Sequence, residues 1–288
     1  MEAEARIEAE LRAAIGRGTA QGCPPKFAAA LEHAVFSGGA RVRPQLCLAV
    51  AGACGDPDPA LSSAAAAAIE LIHCASLVHD DLPAFDAAEE RRGKASVHAA
   101  FGEPLAILAG DALIVMAFET LARAGAATPS RLPALTTLIA RSVGAPNGIA
   151  AGQAWESEPE VVVETYHRAK TGALFVGATM AGALAAGADP RPWVMLGEKI
   201  GEAYQVADDL LDAAGGAEAG KPVGRDAALG RPSCALSLGT QGAVTKLKEL
   251  VGQAAASVPD CDGADRLRAL VSAQANRLVP KNLAVHAA

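Results

Sequence analysis

Two short runs of this sequence put carboxylates where they are costly. "HDDLPAFD", residues 79–86, places Asp80 and Asp81 at the end of an apolar, helix-like run and adds Asp86. "ADDLLD", residues 207–212, sets Asp208 and Asp212 four apart, on one helix face, just before Gly215-Gly216. The C-terminal end of a helix carries partial negative charge and disfavours acids. Carboxylates stripped of water need a compensating partner. A solvated acidic patch explains one such aspartate but not three set against the dipole among apolar residues. A divalent cation removes both objections, and all-oxygen donors suit Mg²⁺ or Mn²⁺ rather than zinc. Pro83 predicts a distortion that brings Asp86 back beside Asp80. For Asp86 an alternative stands: "DAAE", residues 86–89, also fits a helix-capping box.

Mg²⁺ typically leaves coordination sites for water and phosphate oxygens, so anion-binding groups are expected nearby. Short glycine-flanked basic runs supply them: "GGARVRP" with Arg41 and Arg43, "RRGK" with Arg91, Arg92 and Lys94, "AKTG" with Lys170, and "GKPVGR" with Lys221. Asp111, His79 and His98 read as structural groups.

The elements that must position these residues are helices. Helical periodicity covers residues 2–16, 25–35, 41–54, 59–80, 103–124, 130–143, 161–186, 191–213, 235–257 and 262–278, with breaks at Gly/Pro/Asp clusters. Convincing period-2 strands are absent. No long polar linker divides the chain, so residues 1–288 are read as a single all-α domain. Apolar residues make up 51% of the chain and aromatics 3%, which favours close helix packing over a β-sandwich. A net charge of −7 argues against nucleic-acid binding. The six cysteines show no C-x-x-C spacing and read as small buried residues in a reducing cytoplasm. The charged N-terminus lacks the apolar core of a signal peptide, and no transmembrane segment is read. The protein is expected in the cytoplasm.

With both motifs in view, "HDDLPAFD…RRGK" and "YQVADDLLD…GKPVGRD" resemble the two aspartate-rich motifs of the trans-isoprenyl diphosphate synthases. "GGARVRP", "IELIH", "AGQAWE" and "KTGALF" fall in that family's order, and the resemblance spans roughly residues 35–235. The wording is most similar to geranylgeranyl diphosphate synthases of purple photosynthetic bacteria. The resemblance implies an isoprenoid-synthase-type helical bundle around a deep central cavity, working as a homodimer. It implies head-to-tail condensation of isopentenyl diphosphate with an allylic diphosphate, Mg²⁺-dependent, with Mn²⁺ as a substitute. By resemblance, Asp80, Asp86 and Asp208 hold metal, supported by Asp81 and Asp212. Arg91, Lys170 and Lys221 contact the allylic diphosphate. Arg41, Arg43, His73 and Arg92 hold isopentenyl diphosphate, and Thr171 and Gln205 lie near the cation. Arg231 stands at a later basic position. The family's usual lysine between Gly39 and Arg41 is Ala40 here.

The resemblance also bears on product length. Where family members that stop at fifteen carbons carry a bulky aromatic, five residues before the first aspartate, this chain has Ala75, with Ser76 beside it. A longer, twenty-carbon geranylgeranyl product is expected, with a fifteen-carbon farnesyl product as the alternative. A non-catalytic subunit of a heteromeric enzyme would normally lose one Asp motif. A class I terpene cyclase would carry an N/D-S/T-E triad and would not need "GGARVRP".

Overall fold

The computed structural model describes residues 2–214 and 234–278. The described chain is built from helices, and its contacts gather in two compact units.

The first unit comprises residues 1–140 and 181–189. It holds α1 (Glu2–Gly18), α2 (Pro25–Phe36), α3 (Val42–Ala53), α4 (Pro59–Asp80), α5 (Val97–Phe101) and α6 (Glu103–Gly125). Helix α4 starts where the sequence says it should. Asp58 accepts a hydrogen bond from the Leu61 amide at 3.1 Å, and Pro59 occupies the first turn. Its middle is an alanine run, Ala64–Ala68, fully buried together with Leu61, Ile69 and Leu71. Small side chains let neighbours approach, and α4 packs against α6, α3 and α1. At Gly110 the α4–α6 approach leaves no room for a side chain: a Cβ would lie 2.1 Å from His79 Nε2. By length and composition α4 and α6 are apolar enough to cross a bilayer, but 78% of the apolar window of α4 is buried inside the protein. Helix α6 keeps Ile107, Leu108 and Val115 exposed on its outer side.

Between α4 and α5 lies a ladder too short for any sequence period to reveal. Strands β1 (Glu90–Arg91) and β2 (Lys94–Ala95) pair antiparallel, Arg91 opposite Lys94. Arg92 and Gly93 form the two-residue loop, both with positive φ, 56° and 72°. That is the backbone demanded by a tight hairpin turn.

The second unit comprises residues 141–180 and 190–288. Helix α7 (Leu132–Val143) runs into it from the first unit. It continues with α8 (Ile149–Ala154), a 3₁₀ turn (Trp155–Ser157) and α9 (Val163–His167). A π turn (Arg168–Gly172) leads into α10 (Ala173–Ala185). After a second 3₁₀ turn (Arg191–Trp193) come α11 (Val194–Ala214), α12 (Cys234–Ala256) and α13 (Ala264–Leu278). The expected helix over 161–186 is thus continuous but over-wide by one turn at "RAKTG". Helix α8 packs on that π turn so closely that a Cβ on Gly152 would lie 2.3 Å from the Lys170 backbone nitrogen.

Candidate active site

In the first unit the chain doubles back immediately after α4. The Asp86 amide donates to the Asp80 carbonyl at 2.9 Å, and the Ala88 amide to the Asp81 carbonyl at 3.0 Å. The turn expected from Pro83 therefore exists and seats Asp86 beside the end of α4. No helix starts after Asp86, so the capping-box alternative fails: the chain goes on into the β1–β2 hairpin. Asp81 and Asp86 are both buried.

Arg91 on β1 reaches back to this turn. Its Nε donates to both Asp81 carboxylate oxygens, at 3.0 and 3.2 Å, and its Nη2 also donates to Asp81 Oδ1. The same Nη2 lies 3.7 Å from Asp80 Oδ2. A guanidinium cation thus stands against the paired carboxylates. Among the described residues no three His, Cys, Asp or Glu side chains converge as a ready ligand set. The donors still fit a hard divalent ion: they are all carboxylate oxygens, and they already draw a cation.

Arg92, turned the other way by the hairpin loop, donates from Nη1 to the Gly38 carbonyl. A Cβ on Gly39 would lie 2.3 Å from that Nη1, so the glycine pair makes the space the guanidinium occupies. Arg43 Nη1 lies 3.4 Å from His73 Nε2. Loss of hydration, then the charges of Arg43, Arg92, Arg91 and Arg41, hold the His73 imidazole well below the usual histidine range. A neutral His73 beside the Arg43 guanidinium, in a region of positive charge, suits an anion.

Arg41 turns inward. It sits at φ 50° and is buried. It donates to Glu8 Oε1 at 2.9 Å, Glu70 Oε1 at 2.8 Å and the Val35 carbonyl at 2.7 Å. Its guanidinium ties α1, α2 and α4 together. His98 accepts a structural place as expected, with Nε2 3.1 Å from the Ala88 carbonyl. His79 lies 3.3 Å from the Ile107 carbonyl and 3.7 Å from Asp111, whose side chain is exposed. On α4, Ala75 is buried, and Ser76 turns its hydroxyl onto the His73 carbonyl at 2.8 Å. All six cysteines are free.

In the second unit the π turn presents Lys170 and Thr171. Lys170 Nζ donates to Glu156 Oε1, which also accepts from the Tyr166 hydroxyl at 2.6 Å. Gln153 Nε2 donates to the other Glu156 oxygen at 3.0 Å. Thr171 donates its hydroxyl to Gln205 Oε1 at 2.9 Å, and Gln205 Nε2 donates to Asp209 Oδ1 at 3.0 Å. The other Asp209 oxygen accepts from the Cys234 amide at 2.6 Å. Asp209 is buried, and that burial raises its pKa above the usual carboxylate range; Cys234 and Gln205 oppose the shift and the neighbouring Asp208 and Asp212 add to it. Asp208 is exposed and Asp212 half-buried on the same helix. Lys221 and Arg231 lie outside the described residues.

A family model described as polyprenyl synthetase matches residues 24–265. The chain belongs to the polyprenyl synthetase family. It is similar to a geranylgeranyl diphosphate synthase of Cereibacter sphaeroides, 56% identical over 282 residues and 98% of each chain. It is similar to the corresponding synthase of Rhodobacter capsulatus, 50% identical over 280 residues and 97% of each chain. Among solved structures, a geranyltransferase from Legionella pneumophila matches with TM-score 0.79 at 29% identity, over 97% of this chain and 94% of that one. The all-α fold expected from the sequence is the fold of these polyprenyl synthetases.

Two residues of these hydrogen-bond networks were given no role of their own from the sequence: Glu156 in "AGQAWES" and Asp209, the middle acid of "ADDLLD". A signal for Asp209 was available: it falls on the α11 stripe of Val206, Ala207 and Leu210, all buried.

Proposed function

We propose that this polyprenyl synthetase condenses isopentenyl diphosphate head-to-tail with an allylic diphosphate and releases chiefly twenty-carbon geranylgeranyl diphosphate. The observation that carries this reading is the pairing, within one unit, of a carboxylate turn (Asp80, Asp81, Asp86) with the Arg43–His73 contact in a region of positive charge. One set suits a cation and the other a diphosphate. The names of the two near-full-length relatives support the product.

In this reading Arg43, His73 and Arg92 bind isopentenyl diphosphate, whose phosphates stay attached. Arg91 and Lys170 bind the allylic diphosphate, whose C–O bond breaks with the electron pair leaving on oxygen. The isopentenyl double bond then attacks the allylic carbon, and the released diphosphate takes up the proton whose loss restores an alkene. Asp80 and Asp86, and Asp208 with Asp212, would hold Mg²⁺, which would supply Lewis-acid stabilisation of the departing diphosphate. Asp81 holds Arg91 in place. Thr171 and Gln205 orient polar oxygens near the developing cation, fixed from behind by Asp209. Ala75 and Ser76 leave room for the fourth isoprene unit. The working form is a cytoplasmic homodimer.

The test is incubation of the purified protein with labelled isopentenyl diphosphate and each allylic primer, with and without Mg²⁺, followed by chromatography of the dephosphorylated products. A twenty-carbon alcohol that vanishes in EDTA is the expected result. A fifteen-carbon product throughout would overturn the length assignment, and no elongation with any primer would overturn the reaction itself.

A further inference from the structure

Lysine is a flexible phosphate ligand, and fixing its long side chain costs binding energy unless the protein has already fixed it. Here it is fixed. Lys170 Nζ donates to Glu156 Oε1 and stands 5.7 Å from the centroid of the Tyr166 ring. Both charged side chains remain partly accessible, 23% for Lys170 and 20% for Glu156. Glu156 itself is held by the Tyr166 hydroxyl at 2.6 Å and by Gln153 at 3.0 Å. Four residues earlier, the missing Cβ of Gly152 allows α8 to touch the Lys170 main chain. A bare carboxylate beside a phosphate site would repel the substrate. This one accepts from three donors, so its charge is largely offset while its position is kept.

We infer that Glu156 is a positioning residue that aims Lys170 at the allylic diphosphate. The inference rests on the reading that Lys170 contacts that substrate. Glu156→Gln keeps the shape but gives the side chain an amide that cannot accept from all three donors, so Lys170 is released. The expected effect is a rise of about tenfold in KM for the allylic primer, the size of one charge-assisted hydrogen bond, with KM for isopentenyl diphosphate unchanged. Tyr166→Phe removes one of the donors that hold Glu156 and should move the same constant in the same direction by about threefold. If Glu156 acts through Lys170, then in a Lys170→Ala background the Glu156→Gln change should add nothing further to the allylic KM. A purely structural carboxylate would lower thermal stability and affect both substrates alike. Additive effects of the two substitutions, or equal shifts in both KM values, would overturn the positioning role. A Lys170→Ala variant with unchanged allylic KM would instead overturn the underlying substrate assignment. Should Glu156→Gln fail to fold, the same cycle run with Tyr166→Phe and Lys170→Ala decides the matter.

Discussion

Arg91 and Arg92 are neighbours in the chain, yet the hairpin sends one guanidinium to Asp81 and the other to Gly38. Their kinetic roles should separate in the same way. Arg92→Ala is expected to raise KM for isopentenyl diphosphate by about tenfold with little change in primer KM, and Arg91→Ala to do the reverse; initial-rate kinetics with each substrate varied in turn will show it. His73 offers a pH test. Its folded pKa is depressed by lost hydration and by Arg43, so folding disfavours the protonated ring. Its contribution to stability is complete above the unfolded value of about 6.5 and is lost as pH falls below it, while the unfolded chain takes up a proton. Imidazole NMR should show the His73 midpoint below that of an ordinary histidine, and as pH falls the urea midpoint should drop less steeply in His73→Gln than in wild type. Basic residue type picked out Arg43 and Arg92 in the sequence, and the family resemblance added His73. Nothing in "GGARVRP" says which arginine takes the left-handed backbone and turns inward to Glu70, so the place of Arg41 was not legible.

Helix α4 was legible from end to end, since a cap, a proline, an alanine run and an acid pair are all local signals. Asp58, hydrogen-bonded by Thr128 and by the Leu61 amide, has its carboxyl held below the usual carboxylate range. Asp58→Ala should cost about 1 kcal/mol, read as a fall of about 2–4 °C in thermal midpoint. Because the folded pKa is lowered, this stabilisation is present above the unfolded carboxylate value near 3.9 and fades as pH falls through the folded one, so wild type and variant should converge in acid. The π turn at Arg168–Gly172 was not legible, because one extra residue per turn leaves apolar periodicity almost unchanged. Its importance can be probed from the facing helix. Gly152→Ala drives a methyl group into the Lys170 backbone and should destabilise the second unit by about 1–3 kcal/mol, seen in denaturant melts.

At the scale of the whole molecule, α6 is only partly buried, and Ile107, Leu108 and Val115 face outward. A dimer that buries this face should be weakened by Leu108→Glu or Val115→Glu, shifting the mass measured by light scattering toward the monomer at micromolar protein. Which helices gather into which unit was beyond sequence reasoning, because periodicity reports a helix's buried stripe and not its neighbour. The clearest instance is the segment 181–189, which belongs with residues 1–140 although some forty residues separate them. Arg131 donates to the Ala185 carbonyl at 2.8 Å, and Gly182 lies so near Cys47 that a Cβ would come within 2.2 Å of its carbonyl oxygen. On the ribosome this matters in time. The first half of the polypeptide emerges without the piece that completes it, and must wait for the end of α10 before its core can close. A nascent chain stalled before residue 181 exposes the alanine-rich flank of α3 to whatever chaperone is at hand.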